Sequence, residues 1–467
     1  MLPASLPPSL AHAFSLLHVA AVAVGLLLYV ALTHSGRQRR PPSAALAWVI
    51  ALIAFPYLAL PAYLLLGTRK LAHARAPLDP PPATPAAATA NWASALTRGL
   101  DLPPPRRCAA LRIEPDGARA LRALLDLLDT ARTRIDIEVF LLRADAVGVQ
   151  LAAALARAHA RGVTVRVLLD GLGAFAGHRR TLRLLRGSGA QVRWFSPLRL
   201  RLHPQFGRGN LRNHRKLVVV DGTRLWTGGR NLAREYFLGD AQTPAWDDLS
   251  LLADGGIARD AARLFARDWA LAGGDPAPPA AENTNEAEDG TLAQLLPSGP
   301  DRRDDTAYAL LLGAIHRADA RVLLATPYFV PDDALQLALV LAARRGVQVE
   351  LLLPARSNHR LADIARARSL RELSAAGVRI HLLSRMLHAK AFVIDAALAS
   401  AGSINLDGRS LFLNYELNVL LHDPARIDAL AGWFAARRAQ SSPYVARAPG
   451  WLRDVGEGMV RALGFQL

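Results

Sequence analysis

A single cysteine, Cys108, occurs in 467 residues, which excludes a disulfide framework and any cysteine-based metal cluster. Lysine is almost as scarce. Of 56 basic residues only Lys70, Lys216 and Lys390 are lysine, the rest being arginine. Acidic residues are too few to balance them: 39 Asp and Glu leave a formal charge of +17, and so basic a chain is drawn to polyanions, either nucleic acid or an anionic bilayer. Apolar sequence, by contrast, is plentiful. Hydrophobic residues make up 51%, which excludes a disordered chain and at this length provides for two or three domains.

Ala11 to Leu32 and Ala44 to Leu66 carry no Asp, Glu, Lys or Arg, and each is long enough for a helix to cross about 30 Å of hydrocarbon. They are expected to be two transmembrane helices (about 11–32 and 44–66) in a membrane anchor of residues 1–70. A cleaved signal peptide or a buried core helix is the alternative; the first ten residues lack a basic n-region, and a second apolar stretch follows at once. Arg37, Arg39 and Arg40 lie between the stretches and Arg69, Lys70 and Arg75 beyond the second, so the positive-inside rule does not choose a side. The Pro- and Ala-rich residues 76–105 read as a linker, and so do residues 274–300, with Asp275-Pro276 and Pro278-Pro279.

The segments 106–273 and 301–467 read as copies of one another. Arg161-Gly162-Val163-Thr164-Val165-Arg166-Val167-Leu168-Leu169 matches Arg345-Gly346-Val347-Gln348-Val349-Glu350-Leu351-Leu352-Leu353, each after an Ala- and Leu-rich helical stretch. Strands alternating with helices imply an α/β protein of two pseudo-symmetric lobes, each a mixed β-sheet flanked by helices, meeting face to face. The repeat offset is 184 residues between Arg161 and Arg345 but 174 between His214 and His388. The extra residues enter the loop from Pro197 to Arg212, which carries Arg199, Arg201, His203, Arg208 and Arg212, either a basic rim for anionic headgroups or a solvated loop.

Within each copy stands one motif. His214-Arg215-Lys216 is followed by Asp221 and then Gly228-Gly229-Arg230-Asn231; His388-Ala389-Lys390 is followed by Asp395 and then Gly402-Ser403-Ile404-Asn405. Two of the three lysines therefore fall at one motif position. Strand alternation sends His and Lys at i and i+2 to the same face, so both can enter one pocket. A phosphodiester suits that pocket: two lysines and two asparagines meet oxygens that gain charge as phosphorus becomes five-coordinate, one imidazole attacks, and the other protonates the leaving alkoxide. Such chemistry calls for no metal and no cofactor.

These are the residues of the paired HKD motifs, and the chain resembles the phospholipase D superfamily over roughly residues 110 to 440. Within it the chain looks most like cardiolipin synthases, through Arg212-Asn213-His214-Arg215-Lys216 with Gly228-Gly229-Arg230-Asn231, through Thr326-Pro327-Tyr328-Phe329-Val330-Pro331, and through Gly402 to Ser410 with Asn414-Tyr415-Glu416. The resemblance implies a catalytic set of His214, Lys216, Asp221, His388, Lys390 and Asp395, with His214 as nucleophile, His388 as general acid, and the two aspartates supporting loops. It implies that Asn231, Ser403 and Asn405 bind substrate, Ser403 adding a hydroxyl donor on one side only. A carboxylate downstream of each histidine is implied to orient it: Glu416 in the second lobe and, in the first, Asp248, with Asp247 as the neighbouring alternative. The implied reaction is synthesis of cardiolipin from phosphatidylglycerol through a phosphohistidine, in a bacterial inner membrane. Its partners are anionic phospholipids (phosphatidylglycerol, cardiolipin) and the bilayer, with no nucleic acid and no obligate protein partner. Hydrolysis of phospholipid headgroups is the nearest alternative. A nucleic-acid phosphodiesterase is the second, against which stand the two apolar stretches and the lack of aromatics interleaved with the basic loop.

Overall fold

A computed structural model describes residues 8–35, 42–67, 69–70, 92–173, 177–196, 210–240, 242–275, 290–302 and 304–462. The amino-terminal helices belong to one compact unit and most of the two lobes to another. Arg37, Arg39, Arg40, Arg75, Arg199, Arg201, His203 and Arg208 lie outside the described residues, as do 76–91 and 276–289 within the two expected linkers.

In the amino-terminal unit the first apolar stretch is a single helix, Pro8–Ser35. From Ser15 to His34 it is long and apolar enough to cross a membrane. Its apolar side chains face outward, Leu16 being 72% and Leu27 70% exposed, which speaks against a buried core helix. The second stretch departs from expectation: it is two helices, Pro42–Ala54 and Pro56–Leu66, parted at Phe55. Pro56 has no amide to continue the helical ladder, and its ring disfavours a helical Phe55. Neither piece alone reaches the length of a full span. Tyr29, Leu52, Ala59 and Tyr63 pack the three helices together.

Among the described residues the lobes carry seventeen strands in chain order: β1 (Arg106–Glu114), β2 (Arg134–Val139), β3 (Thr164–Asp170), β4 (Gln191–Phe195), β5 (Leu217–Val220), β6 (Arg224–Gly228), β7 (Ser250–Gly255), β8 (Thr291–Ser298), β9 (Arg321–Ala325), β10 (Phe329–Val330), β11 (Gln348–Pro354), β12 (Arg379–Leu383), β13 (Ala391–Ile394), β14 (Leu398–Gly402), β15 (Leu406–Asp407), β16 (Glu416–Leu421) and β17 (Ser442–Pro443). One half-sheet reads β1-β7-β6-β5-β2-β3-β4 and the other β8-β16-β14-β13-β9-β11-β12, with β17 added at its edge. Both halves are mixed. In each, two parallel strands flank a crossover helix, Ala146–Ala160 between β2 and β3 and Asp333–Arg344 between β9 and β11. The sequence repeat explains the match: Asp145 and Asp332 cap the first amides of these helices, and Gly162 and Gly346 take the left-handed conformation just past their ends, with φ of 86° and 89°.

The two sheets join edge to edge. β1 pairs antiparallel with β8 through Arg106↔Ala293, Arg107↔Leu292 and Cys108↔Thr291, giving one continuous sheet of fifteen strands. β8 lies inside the expected linker 274–300, and the helix Trp92–Gly99 lies inside the expected linker 76–105. Each lobe keeps its own apolar core, one built around Leu124, Ile137, Leu155 and Val167, the other around Leu310, Leu324, Leu339 and Leu351. The Thr326–Pro331 segment closes the second core: Phe329 is fully buried, and its strand β10 runs parallel to β15.

Asp221 and Asp395 follow β5 and β13, at the ends away from the motif histidines. Both have positive φ, 53° and 52°, a conformation that Asp tolerates better than most residues. The Asp221 carboxylate accepts from the amides of Arg132, Thr133 and Arg134, and Asp395 from those of Asp319, Ala320 and Arg321. These contacts fasten the loops that lead into β2 and β9.

Candidate active site

Each histidine segment is held by the opposite lobe. His214 donates its backbone amide to the Tyr415 carbonyl at 2.8 Å, and Tyr415 returns an amide to Arg212 at 2.8 Å. Across the pseudo-twofold, the amides of His388 and Ala389 both reach the Asp247 carbonyl, at 2.7 and 3.0 Å. These bridges bring the next side chain of the partner segment under each imidazole. His214 Nδ1 lies 2.9 and 3.0 Å from the two oxygens of Glu416, and His388 Nδ1 lies 2.7 Å from Asp248 Oδ2. Both predicted carboxylates are present and their pairing is crossed: the carboxylate of each lobe serves the histidine of the other. The choice between neighbours in the first lobe also resolves, because the Asp247 side chain pairs with Arg437.

Lys216 and Lys390 are buried beside the imidazoles, as alternation on the strand requires. Lys216 Nζ donates to the His214 carbonyl at 2.8 Å, and Lys390 Nζ lies 3.1 Å from His388 Nε2. Burial lowers both ammonium groups, Lys216 to about 7 and Lys390 to about 8. Burial likewise brings the imidazoles down, His214 to about 4 against the pull of Glu416, and His388 to about 3, Lys390 adding to the effect. Although burial opposes it, the charges of His388 and Lys390 hold Asp248 at about 2. The pocket is thus a pair of neutral imidazoles between buried cations and buried anions.

Glycine follows from close backbone approach. A Cβ on Gly228 would lie 2.3 Å from the Leu249 carbonyl oxygen, and one on Gly402 would lie 2.4 Å from that of Leu417. After each turn comes an asparagine, Asn231 or Asn405, whose amide oxygen is buried without a hydrogen-bond partner. Asn231 Nδ2 donates to the Tyr236 hydroxyl at 2.9 Å. The unpartnered atoms are acceptors and stand at matching places in both lobes.

Ser403 is placed against the carboxylate of its own lobe. Its hydroxyl donates to Glu416 Oε2 and accepts the Leu417 amide at 2.9 Å, which directs its proton to the carboxylate. In the first lobe the matching amide, Leu249, donates directly to Asp248 Oδ1 at 2.8 Å. There the place of Ser403 is taken by Gly229, where an added Cβ would meet that oxygen at 2.1 Å. Glu with Ser and Asp with Gly are two solutions of one geometry. Gly229→Ser is accordingly expected to push Asp248 off His388 and lower turnover by about 10²-fold, and adding Asp248→Glu should recover part of the loss in a steady-state assay.

Several residues that line the site carry no role in the sequence reading. Ser410 Oγ and Asn414 Nδ2 donate to Glu416 Oε1 at 2.8 and 3.3 Å. Tyr236 and Trp246 place their rings 4.9 and 5.4 Å from His388, and Phe140 lies 5.2 Å from His214. Asn213 Nδ2 meets the buried Glu138 at 2.5 Å. Ser410 and Asn414 stand in the stretches that carry the resemblance, but the aromatics come from segments without a motif. Among the described residues no group of three His, Cys, Asp or Glu side chains could hold a metal ion.

A family profile described as "Cardiolipin synthase, PLD-like domain" matches residues 124–269 and again 311–438, and one described as "Phospholipase_D-nuclease N-terminal" matches residues 21–67. The cardiolipin synthase A of Pseudomonas entomophila is 34% identical over 427 residues, covering 87% of this chain and 88% of that protein. That of Pseudomonas aeruginosa is 32% identical over 464 residues, 94% of each. Among solved structures, the phosphatidylserine synthase of Haemophilus influenzae shares the fold, with a TM-score of 0.60 at 14% identity over 81% of this chain and all of that one. Identity of that extent, spanning both lobes and the amino-terminal helices, makes this chain a member of the cardiolipin synthase family of phospholipase D-like phosphatidyltransferases.

Proposed function

We propose that the chain makes cardiolipin from two molecules of phosphatidylglycerol, and the observation that carries this is the crossed pair of histidine–carboxylate contacts flanking two buried lysines. In the first step His214 Nε2 attacks phosphorus; a P–N bond forms, the P–O bond to glycerol breaks, and His388 gives its proton to the departing glycerol oxygen. In the second step the hydroxyl of another phosphatidylglycerol attacks, His388 takes its proton, and the P–N bond breaks to release His214. Glu416 and Asp248 hold the two imidazoles by Nδ1, leaving His214 Nε2 toward the substrate and His388 Nε2 beside Lys390. Lys216, Lys390, Asn231 and Asn405 surround the phosphate oxygens.

A neutral imidazole suits the nucleophile but not the general acid. An arriving phosphodiester anion offsets the charge of the lysines and raises proton affinity on the acid histidine, so substrate binding itself loads the acid. The lysines titrate in the opposite sense. Their depressed values mean that charge is present below about 7 to 8 and lost above. The expected profile is therefore a fall in kcat/KM as pH rises through about 7 to 8, with the fall in kcat displaced to higher pH because bound phosphate retains the ammonium protons. Coincident limbs in the two profiles would count against this assignment.

The helices Pro8–Ser35, Pro42–Ala54 and Pro56–Leu66 support a membrane anchor. In this reading the second span is the Pro-broken pair of helices taken together, which gives a multi-pass protein of the bacterial inner membrane with the lobes, residues 106–273 and 301–467, on one face. Detergent-solubilised protein incubated with phosphatidylglycerol alone tests the reaction by mass spectrometry. Cardiolipin with released glycerol supports it, and phosphatidic acid alone makes the protein a hydrolase.

A further inference from the structure

Arg212 is the least satisfied buried cation near the pocket. Its side chain is 2% exposed. One amino group, Nη1, donates to the Ser196 carbonyl at 3.0 Å and stands 3.7 Å from Asp170 Oδ1, beyond a hydrogen bond. Asp170 is already engaged by the amides of Leu172, Gly173 and Asn213. Nε and Nη2 of Arg212 have no partner. A buried guanidinium with two open donor positions, arranged as a planar fork, is the geometry that accepts a phosphate oxygen pair.

Arg409 supplies the second charge. It is half-buried, beside Asp407 and Ser410, and its charge interacts with those of Arg212, Asp407, Asp170 and Glu416; burial first, and then Arg212, lowers its proton affinity. Arg409 thus adds positive charge to the surroundings of Arg212, with Asp407, Asp170 and Glu416 also acting on it. The arrangement is also one-sided. By the motif offset, the counterpart of Arg212 in the other lobe is Met386, and by the offset of the nonamers that of Asp170 is Pro354. A feature that served the folding of each lobe would recur in both. The reaction, however, is one-sided, because the donor brings a single phosphate to the histidines while the acceptor brings another that must not occupy the same place.

We propose that Arg212, with Arg409 beside it, forms a second anion subsite that holds the phosphodiester of the acceptor lipid while its glycerol hydroxyl attacks the phosphoenzyme. This rests on the phosphatidylglycerol reading above. Arg212 and His214 fall on the same face of one extended segment, with Cα atoms about 6.6 Å apart, a separation comparable to the three-carbon bridge that joins the two phosphates of the product. That bridge lets the acceptor phosphate fold back beside the reacting phosphorus while the hydroxyl approaches from the His388 side. The subsite thereby prefers an anionic alcohol over water or a neutral alcohol.

The test sets two acceptors against each other in one tube: phosphatidylglycerol as donor, with ethanol as a neutral competitor, and the ratio of cardiolipin to phosphatidylethanol as the readout. Arg212→Gln is expected to lower that ratio at least about tenfold, as loss of a charge-assisted pair implies, and Arg212→Lys to restore part of it. Equal losses of both products, or an unchanged ratio, would overturn the proposal. Inorganic phosphate separates the two sources of the anion: in the native protein it should suppress cardiolipin more than phosphatidylethanol, and this bias should vanish in Arg212→Gln. If the native protein makes phosphatidylethanol but no cardiolipin, the proposed reaction has failed, and the phosphate arm decides the subsite alone, through phosphate inhibition of phosphatidylethanol formation: inhibition lost in Arg212→Gln supports it, inhibition unchanged overturns it. Should Arg212→Gln fail to fold, Arg409→Gln carries the same ratio measurement: a lowered ratio supports the subsite, and an unchanged one overturns it.

Discussion

Alanine at His214 or at His388 is expected to lower cardiolipin formation by at least about 10⁴-fold, since removing one member of a catalytic unit forfeits most of what the unit does. The two losses should differ in kind. A donor whose leaving group is a nitrophenolate departs without a proton, so His388→Ala should still release a burst of nitrophenol and leave a phosphohistidine, whereas His214→Ala should do neither. The crossed contacts sharpen this further. Asp248 lies in the lobe of His214 but touches His388 at 2.7 Å, so Asp248→Asn should share the rescue shown by His388→Ala. Glu416→Gln, whose carboxylate holds His214 at 2.9 Å, should not be rescued. If Asp248→Asn instead fails like His214→Ala, the crossed pairing is not the working one.

Lys216→Arg is the second large effect expected, a loss of about 10² to 10³ in kcat, the range seen when one preorganised donor to a developing charge is displaced. The charge would survive the substitution, so only shape can be responsible. Lys216 is fully buried, reaches back to the His214 carbonyl at 2.8 Å and lies 5.8 Å from the centre of the Phe140 ring. A planar guanidinium with five donors needs more room than a compact ammonium and cannot give up its proton as a lysine held near 7 can. In a chain that uses arginine for nearly every other cation, retention at this position and at Lys390 is then explained. Activity within tenfold of the native protein would mean that any cation suffices and that the lysines are incidental.

Much of this site was legible in advance because its parts are local. His and Lys two apart on a strand must share a face, and a doubled motif with a doubled Gly-x-x-Asn turn points to two half-sites; the structure puts Lys216 and Lys390 beside their histidines. The carboxylate pairing was not legible. His214 and Glu416 are 202 residues apart, and no local pattern tells whether a carboxylate turns toward its own lobe or the other; that depends on the backbone bridges at Tyr415 and Asp247. Ser403 reads as a donor to substrate because a hydroxyl at that turn is visible, while the Glu416 oxygen that takes its proton is not. In the fold, apolar length marks residues 44–66 as one element, but hydropathy does not register the amide that Pro56 lacks. β8 stayed hidden inside an expected linker because Asp275-Pro276 and Pro278-Pro279 mark a break, and the short apolar stretch after them has no motif to set it apart.

The crossed carboxylates also bear on how such a chain can change over time. A half inherited from a relative would bring its own carboxylate to a foreign histidine and would lend its own histidine to a foreign carboxylate, across a β1–β8 seam that must keep its register as well. Neither half is an interchangeable part. An Asp–Gly half and a Glu–Ser half fill the same space differently, so recombination at the midpoint preserves the chemistry only when both halves arrive already matched, and the unit on which selection acts is the pair.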